Sequence, residues 1–153
     1  MTIVMDKDAL NAFLARDFPQ VAGSYRVEAV TATGLTARLI TGDDHLRPGG
    51  TVSGPSMFAL ADLAIYCAIL ARIGPVGLAV TTNASIDFMR KPAAGVDLLA
   101  ECRVLKLGRV LAVAEALIFS EGVADPVARC SMTYSIPPKS NNFPCRVMGY
   151  SDT

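Results

Sequence analysis

What the chain has little of narrows its function first. It has one histidine, His45, and four cysteines, Cys67, Cys102, Cys130 and Cys145, with no CxxC pair among them. Metal sites and disulfide frameworks are built on such spacings. No metal is therefore expected, and three of the four cysteines lie inside apolar patterns, as reduced core thiols do. Charge is scarce too: 18% of residues are charged, and 14 basic residues balance 14 acidic ones. Nothing in that balance draws the chain to nucleic acid. The start, MTIVMDKDALNAF, lacks a basic stretch followed by an apolar run and a small-residue cleavage site. Secretion is not expected, and a cytoplasmic location is. There is no internal repeat and no linker.

What is abundant is apolar surface. Hydrophobic residues make up 52% of 153 positions. That length suits one domain with a real core, and the surplus apolar surface suits burial between subunits. The densest run, Pro55–Ala71, reads PSMFALADLAIYCAILA. It is slightly short for a bilayer, and a central aspartate would cost about 2.5–3.5 kcal/mol there. A buried helix of a soluble domain is the expectation, with no membrane partner.

The pattern predicts an α+β domain over residues 1–138 and an irregular polar tail over 139–153. A helix is expected over 6–18, where Leu10, Phe13, Leu14 and Phe18 form a rough stripe. SYRVEAVTA and LTARLITG alternate as strands around a Thr33-Gly34 turn. After the Gly/Pro-rich loop DDHLRPGGTVSG, the central helix spans 55–73, with Ser53 or Gly54 as cap and Gly74-Pro75 as stop. Four strands follow: Leu78–Met89, Val96–Leu107, Arg109–Ser120 and Asp125–Ile136. A mostly antiparallel sheet wrapped round the helix would bury it nearly all round.

Asp62 is the only charge between Pro55 and Ala71. A buried carboxylate costs several kcal/mol unless paired, hydrogen-bonded or protonated, and its helical neighbours offer nothing basic. It is the first candidate for catalysis; the bland alternative is that it faces solvent or a loop backbone. The helix start at Gly54 presents unpaired N–H groups that can polarise a carbonyl or hold an anion. Eight residues separate Gly54 from Asp62, about 12 Å along the axis. One small reacting group cannot touch both within a single helix. If both act on one carbonyl, they come from different subunits across a two-fold axis.

Thr81, Asn83, Ser85 and Asp87 recur at spacing two, which puts them on one strand face able to position a water or a substrate amide. A solvated sheet face looks the same. Arg90, Lys91, Lys106 and Arg109 stand at strand ends and turns, where phosphate groups are bound and where ordinary surface charges also sit.

The stretches GGTVSGPSMFALADLAIYCA, AVTTNASIDFMRKPAAG and LKLGRVLAVAEA, with a final strand before IPP, together resemble the hotdog-fold acyl-CoA thioesterases. The likeness is to the phenylacetate-degradation (PaaI-like) branch and covers roughly Tyr25 to Pro138. It implies a hotdog sheet around the central helix, dimers that often pair into tetramers, and an acyl-CoA substrate without a separate cofactor. In that family a histidine-glycine-glycine motif usually opens the helix; here Ser53-Gly54-Pro55 stands in its place. By this resemblance Gly54 supplies the N–H that polarises the thioester carbonyl. Asp62 is the nucleophile or the general base, and Thr81 helps position the water, with Asn83 beside it on the same face. Arg47 stands near a loop position that is polar in some members. The residues around Arg90, Lys91, Lys106 and Gly108-Arg109 resemble the region that meets coenzyme A phosphates. Met57, Phe58 and Tyr66 would line part of the acyl pocket.

The expected activity is hydrolysis of an acyl-CoA thioester to free acid and CoA. Two alternatives stay open. One is an acyl-thioester hydratase or dehydratase, which usually needs a histidine paired with an acid. The other is a hotdog protein that binds acyl-CoA without turning it over.

Overall fold

The computed structural model describes residues 2–138. The tail expected over 139–153, with Cys145, lies outside the described residues. The elements run α1 (Lys7–Asp17), α2 (Pro19–Ala22), β1 (Tyr25–Val30), β2 (Gly34–Leu39), α3 (Gly54–Ile73), β3 (Val80–Phe88), β4 (Leu98–Leu107), β5 (Leu111–Ser120) and β6 (Ala128–Ser135). Helix α1 stops one residue short of the expected 6–18 range because Pro19 follows Phe18. The residue before a proline is driven out of the α region, and Phe18 sits at φ −132°, ψ 57°. Proline then opens α2 at its first turn.

The strands form one antiparallel sheet in the order β1-β2-β4-β5-β6-β3. Helix α3 touches all of them, so the sheet curls round it. Small facing residues allow the close approach: buried Ala112, Ala114 and Ala116 on β5, and buried Ala61, Ala64 and Ala68 on α3. Cys67, Cys102 and Cys130 are free and buried. Burial pushes the Cys67 thiol up to about 12, which makes it inert.

Both ends of α3 are specified by their own residues. Ser53 caps the start, its Oγ accepting the Ser56 N–H at 3.3 Å. Gly74 closes the end at φ 94°, a conformation that favours glycine, and its N–H donates to Leu70 O. Near that end the buried Arg72 guanidinium donates to Ala68 O, Thr31 O and Gly34 O. It ties the β1–β2 hairpin to the helix, with carbonyls and the helix dipole in place of a carboxylate.

The helix is not buried all round. Phe58, Ala59, Asp62 and Leu63 form a half-buried stripe that the sheet leaves open. By length and composition α3 could cross a membrane, but 67% of its most apolar stretch is buried in the domain. It is a core helix.

Candidate active site

Two pockets flank the two ends of β3. The one at the Thr81 end has a volume of about 580 Å³ and contains Asp62. The one at the Phe88 end has a volume of about 570 Å³ and contains Gly54. Within one protomer, the two candidate catalytic groups thus open into different pockets.

Asp62 is half-buried, and its partners come from the edge strand β3 and its neighbour β6. Thr81 Oγ donates to Asp62 Oδ1 at 2.7 Å. The Tyr134 hydroxyl also reaches Oδ1, and lies 3.0 Å from the Asp62 main-chain oxygen. Burial first, and then the Asp62 charge, push the Tyr134 hydroxyl well above its ordinary value, so it remains a donor. Both hydroxyls converge on one carboxylate oxygen. Among the described residues, Oδ2 has no hydrogen-bond partner.

The bond from Thr81 depends on a β-bulge. In the β3–β6 register Thr81 pairs with Tyr134 and Asn83 with Thr133, so Thr82 is an extra residue. A bulge re-aims the side chains on either side of it. Opposed residues in an antiparallel pair share a face, so Thr81 lies with buried Tyr134 on the helix side. Asn83, Ser85 and Asp87 lie opposite Thr133, Ser131 and Arg129 on the outer face. The expectation that Thr81 and Asn83 share a face is therefore corrected: strict alternation fails at Thr82. Asp87 pairs outside with Arg129 at 2.6 Å.

At the other pocket the donors of the first helical turn can be counted. Pro55 has no N–H, Ser56 N–H goes to Ser53 Oγ, and Met57 N–H goes to Ser53 O. The Gly54 N–H is left without an acceptor among the described residues. Ser53, expected to bind substrate, is occupied as the cap; its hydroxyl lies 3.1 Å from Ser56 Oγ. Arg47, Arg90 and Lys91 line this pocket beside Gly54 and Met57. None of the three cations meets a carboxylate among the described residues. Phe88 covers Gly54 so closely that a Cβ there would stand 3.3 Å from the ring.

The other expected site residues divide between the ends. Tyr66 lines the Asp62 pocket and Met57 the Gly54 pocket, while Phe58 lines neither. Lys106, Gly108 and Arg109 lie at the β4–β5 turn. Leu111 pairs with Ser135 and Ser135 with Val80, so that turn belongs to the Thr81 end. The basic residues expected as one region are thus split within a protomer. His45 lines neither pocket; its Nδ1 accepts the Gly42 N–H at 2.9 Å and its ring meets Tyr25. It forms no histidine–acid pair with Asp62, as a hydratase site would need.

A family model described as the thioesterase superfamily matches residues 49–127. A candidate thioesterase from a Silicibacter species is 58% identical, over 90% of this chain and 96% of its own, at a TM-score of 0.85. A mutant form of the phenylacetic acid degradation protein PaaI from Thermus thermophilus is 27% identical, over 78% of this chain and 99% of its own, at a TM-score of 0.66. Zebra fish thioesterase superfamily member 2, 24% identical over 86% of this chain and 95% of its own, shares the fold at a TM-score of 0.72. No curated protein sequence matches. The chain belongs to the thioesterase superfamily, and its sheet around one long helix is the hotdog fold. The chemistry that the family supports is thioester hydrolysis.

Proposed function

We propose that the protein hydrolyses an acyl-CoA thioester at a site shared between two subunits. One observation carries this reading: the acid and the free helix-start N–H lie at opposite ends of one open edge strand. Pairing β3 with a second β3 about a two-fold axis sets the Thr81 end of one strand beside the Phe88 end of the other. Each Asp62 pocket then meets the partner's Gly54, and a dimer has two equal sites.

In that site the partner's Gly54 N–H receives the carbonyl oxygen as it gains negative charge. Asp62 Oδ2 attacks the carbonyl carbon, or takes a proton from a water that does so. In the second route the C–S bond breaks, sulfur leaves as thiolate, and the proton passes from Asp62 to give free CoA. In the first route the C–S bond breaks in the same way, and water then cleaves the acyl-aspartyl anhydride. Thr81 and Tyr134 are positioning residues, fixing Oδ1 so that Oδ2 faces the carbonyl. The pantetheine arm runs between subunits, and Arg47, Arg90 and Lys91 meet phosphate groups at the surface. The reaction uses neither metal nor separate cofactor, and the enzyme works in the cytoplasm.

Asp62→Asn keeps the shape and removes the base or nucleophile. Hydrolysis across an acyl-CoA panel should fall by at least about 10²–10⁴-fold, with melting temperature and oligomeric state retained. Full activity would sink the assignment. Tight acyl-CoA binding by the wild type without turnover would favour a binding protein.

A further inference from the structure

The family match begins at residue 49, yet one wall of the Asp62 pocket comes from before it. Phe18 and Val21, at and just after the α1–α2 break, line the pocket together with Leu63 and Tyr66 of α3. The break at Phe18-Pro19 turns the Phe18 ring edge-on to Tyr66, with centroids 5.9 Å apart. This wall is fixed. Leu10, Phe13 and Leu14 are buried, and the Asn11 side-chain amide bonds both the N–H and the C=O of Val27 on β1, at 2.9 and 3.0 Å. The N–H groups of Val4 and Met5 donate to Ala71 O, so the chain before α1 is tied to the end of α3.

We infer that Phe18 gauges the acyl group, closing the Asp62 pocket against acyl chains too long for it, and that the pocket takes apolar acyl groups without a second charge. This rests on the reading of Asp62 as the acting acid. Tyr66 lies one turn beyond Asp62 on α3, about 6 Å along the axis, and Phe18 stands against Tyr66. The wall is therefore on the far side of the pocket from the reacting carbonyl. The lining is apolar apart from hydroxyls, and Asp62 is its only charged member. At the Phe18 end a second carboxylate on the acyl group would meet no cation of the same protomer and would be repelled by Asp62. The division of labour is between matched family residues that carry the chemistry and an N-terminal segment that sets the choice of substrate.

The test is kcat/KM across straight-chain acyl-CoAs from acetyl to palmitoyl, plus the dicarboxylic glutaryl- and adipoyl-CoA, for wild type, Phe18→Ala and Phe18→Trp. Wild type should disfavour the dicarboxylic substrates. The Ala variant should move the optimum to longer chains and the Trp variant to shorter ones, by about ten-fold or more for each methylene admitted or excluded. An identical chain-length profile in all three folded proteins would overturn the gauge, and efficient glutaryl-CoA hydrolysis would overturn the charge argument. If wild type hydrolyses none of the panel, the thioesterase reading fails separately. The same chain-length series then measures the gauge by binding affinity, and equal affinities in all three proteins overturn it.

Discussion

The sheet has two edges, and the molecule treats them differently. Along β1 the edge is occupied: α1 packs beside it, and the Asn11 amide pairs with Val27 as a neighbouring strand would. Along β3 nothing pairs the outer edge over Val80–Phe88 among the described residues. Exposed Leu78, Val80, Phe88 and Met89 gather at its two ends, and the half-buried Phe58–Leu63 stripe of α3 lies open. An uncovered, partly apolar edge strand is a template for another strand, and proteins usually blunt one that is meant to stay free. The edge with a candidate pocket at each end is the one left open. That openness is what the proposed shared site requires.

The larger of the effects that break this comparison comes from closing that edge. Asn83→Lys with Ser85→Lys puts like charges on two exposed positions of β3 without touching the core or either pocket. By light scattering the variant should be a monomer, and hydrolysis should fall at least about a hundred-fold, as expected when an oxyanion donor is withdrawn. A monomer that keeps its activity would break the comparison.

A smaller effect sharpens one end of it. Tyr134→Phe keeps the ring and removes one of the two donors to Oδ1. Losing a hydrogen bond to a charged group, worth about 1.5–3 kcal/mol, should lower kcat at least about ten-fold while KM stays near its wild-type value. A matched change in both, or a loss confined to stability, would reduce Tyr134 to packing.

Much of this was legible in the sequence. The Ser53–Pro55 start and Gly74 stop frame α3 because caps and turns are local chemistry. The lone charge at Asp62 is conspicuous against an apolar run. What was not legible depends on register. Thr82 is extra only relative to β6, so no count along β3 reveals that Thr81 and Asn83 part company. Tyr134 reads as one more residue of an alternating last strand until pairing sets it opposite Thr81. The Phe18-Pro19 dipeptide did carry a local signal, since proline ends a helix at the residue before it, but the facing Tyr66 is distant in sequence. Burial of α3 nearly all round was the expectation from its composition, and most of the helix is buried. Composition does not locate the half-buried Phe58–Leu63 stripe, because that depends on where the curled sheet stops.

In the proposed dimer each site draws Asp62 and the helix-start N–H from different subunits. Hybrid dimers test it most directly. One subunit carries Asp62→Asn, and the other Gly54→Pro, which removes the N–H at a first-turn position; the added Cβ would stand 3.3 Å from the ring of Phe88, an exposed side chain that must shift slightly. Each parent homodimer should be nearly inactive. The purified hybrid pairs one intact Asp62 with one intact Gly54 across the interface and should recover about half the wild-type kcat. A hybrid as inactive as its parents would contradict the shared site.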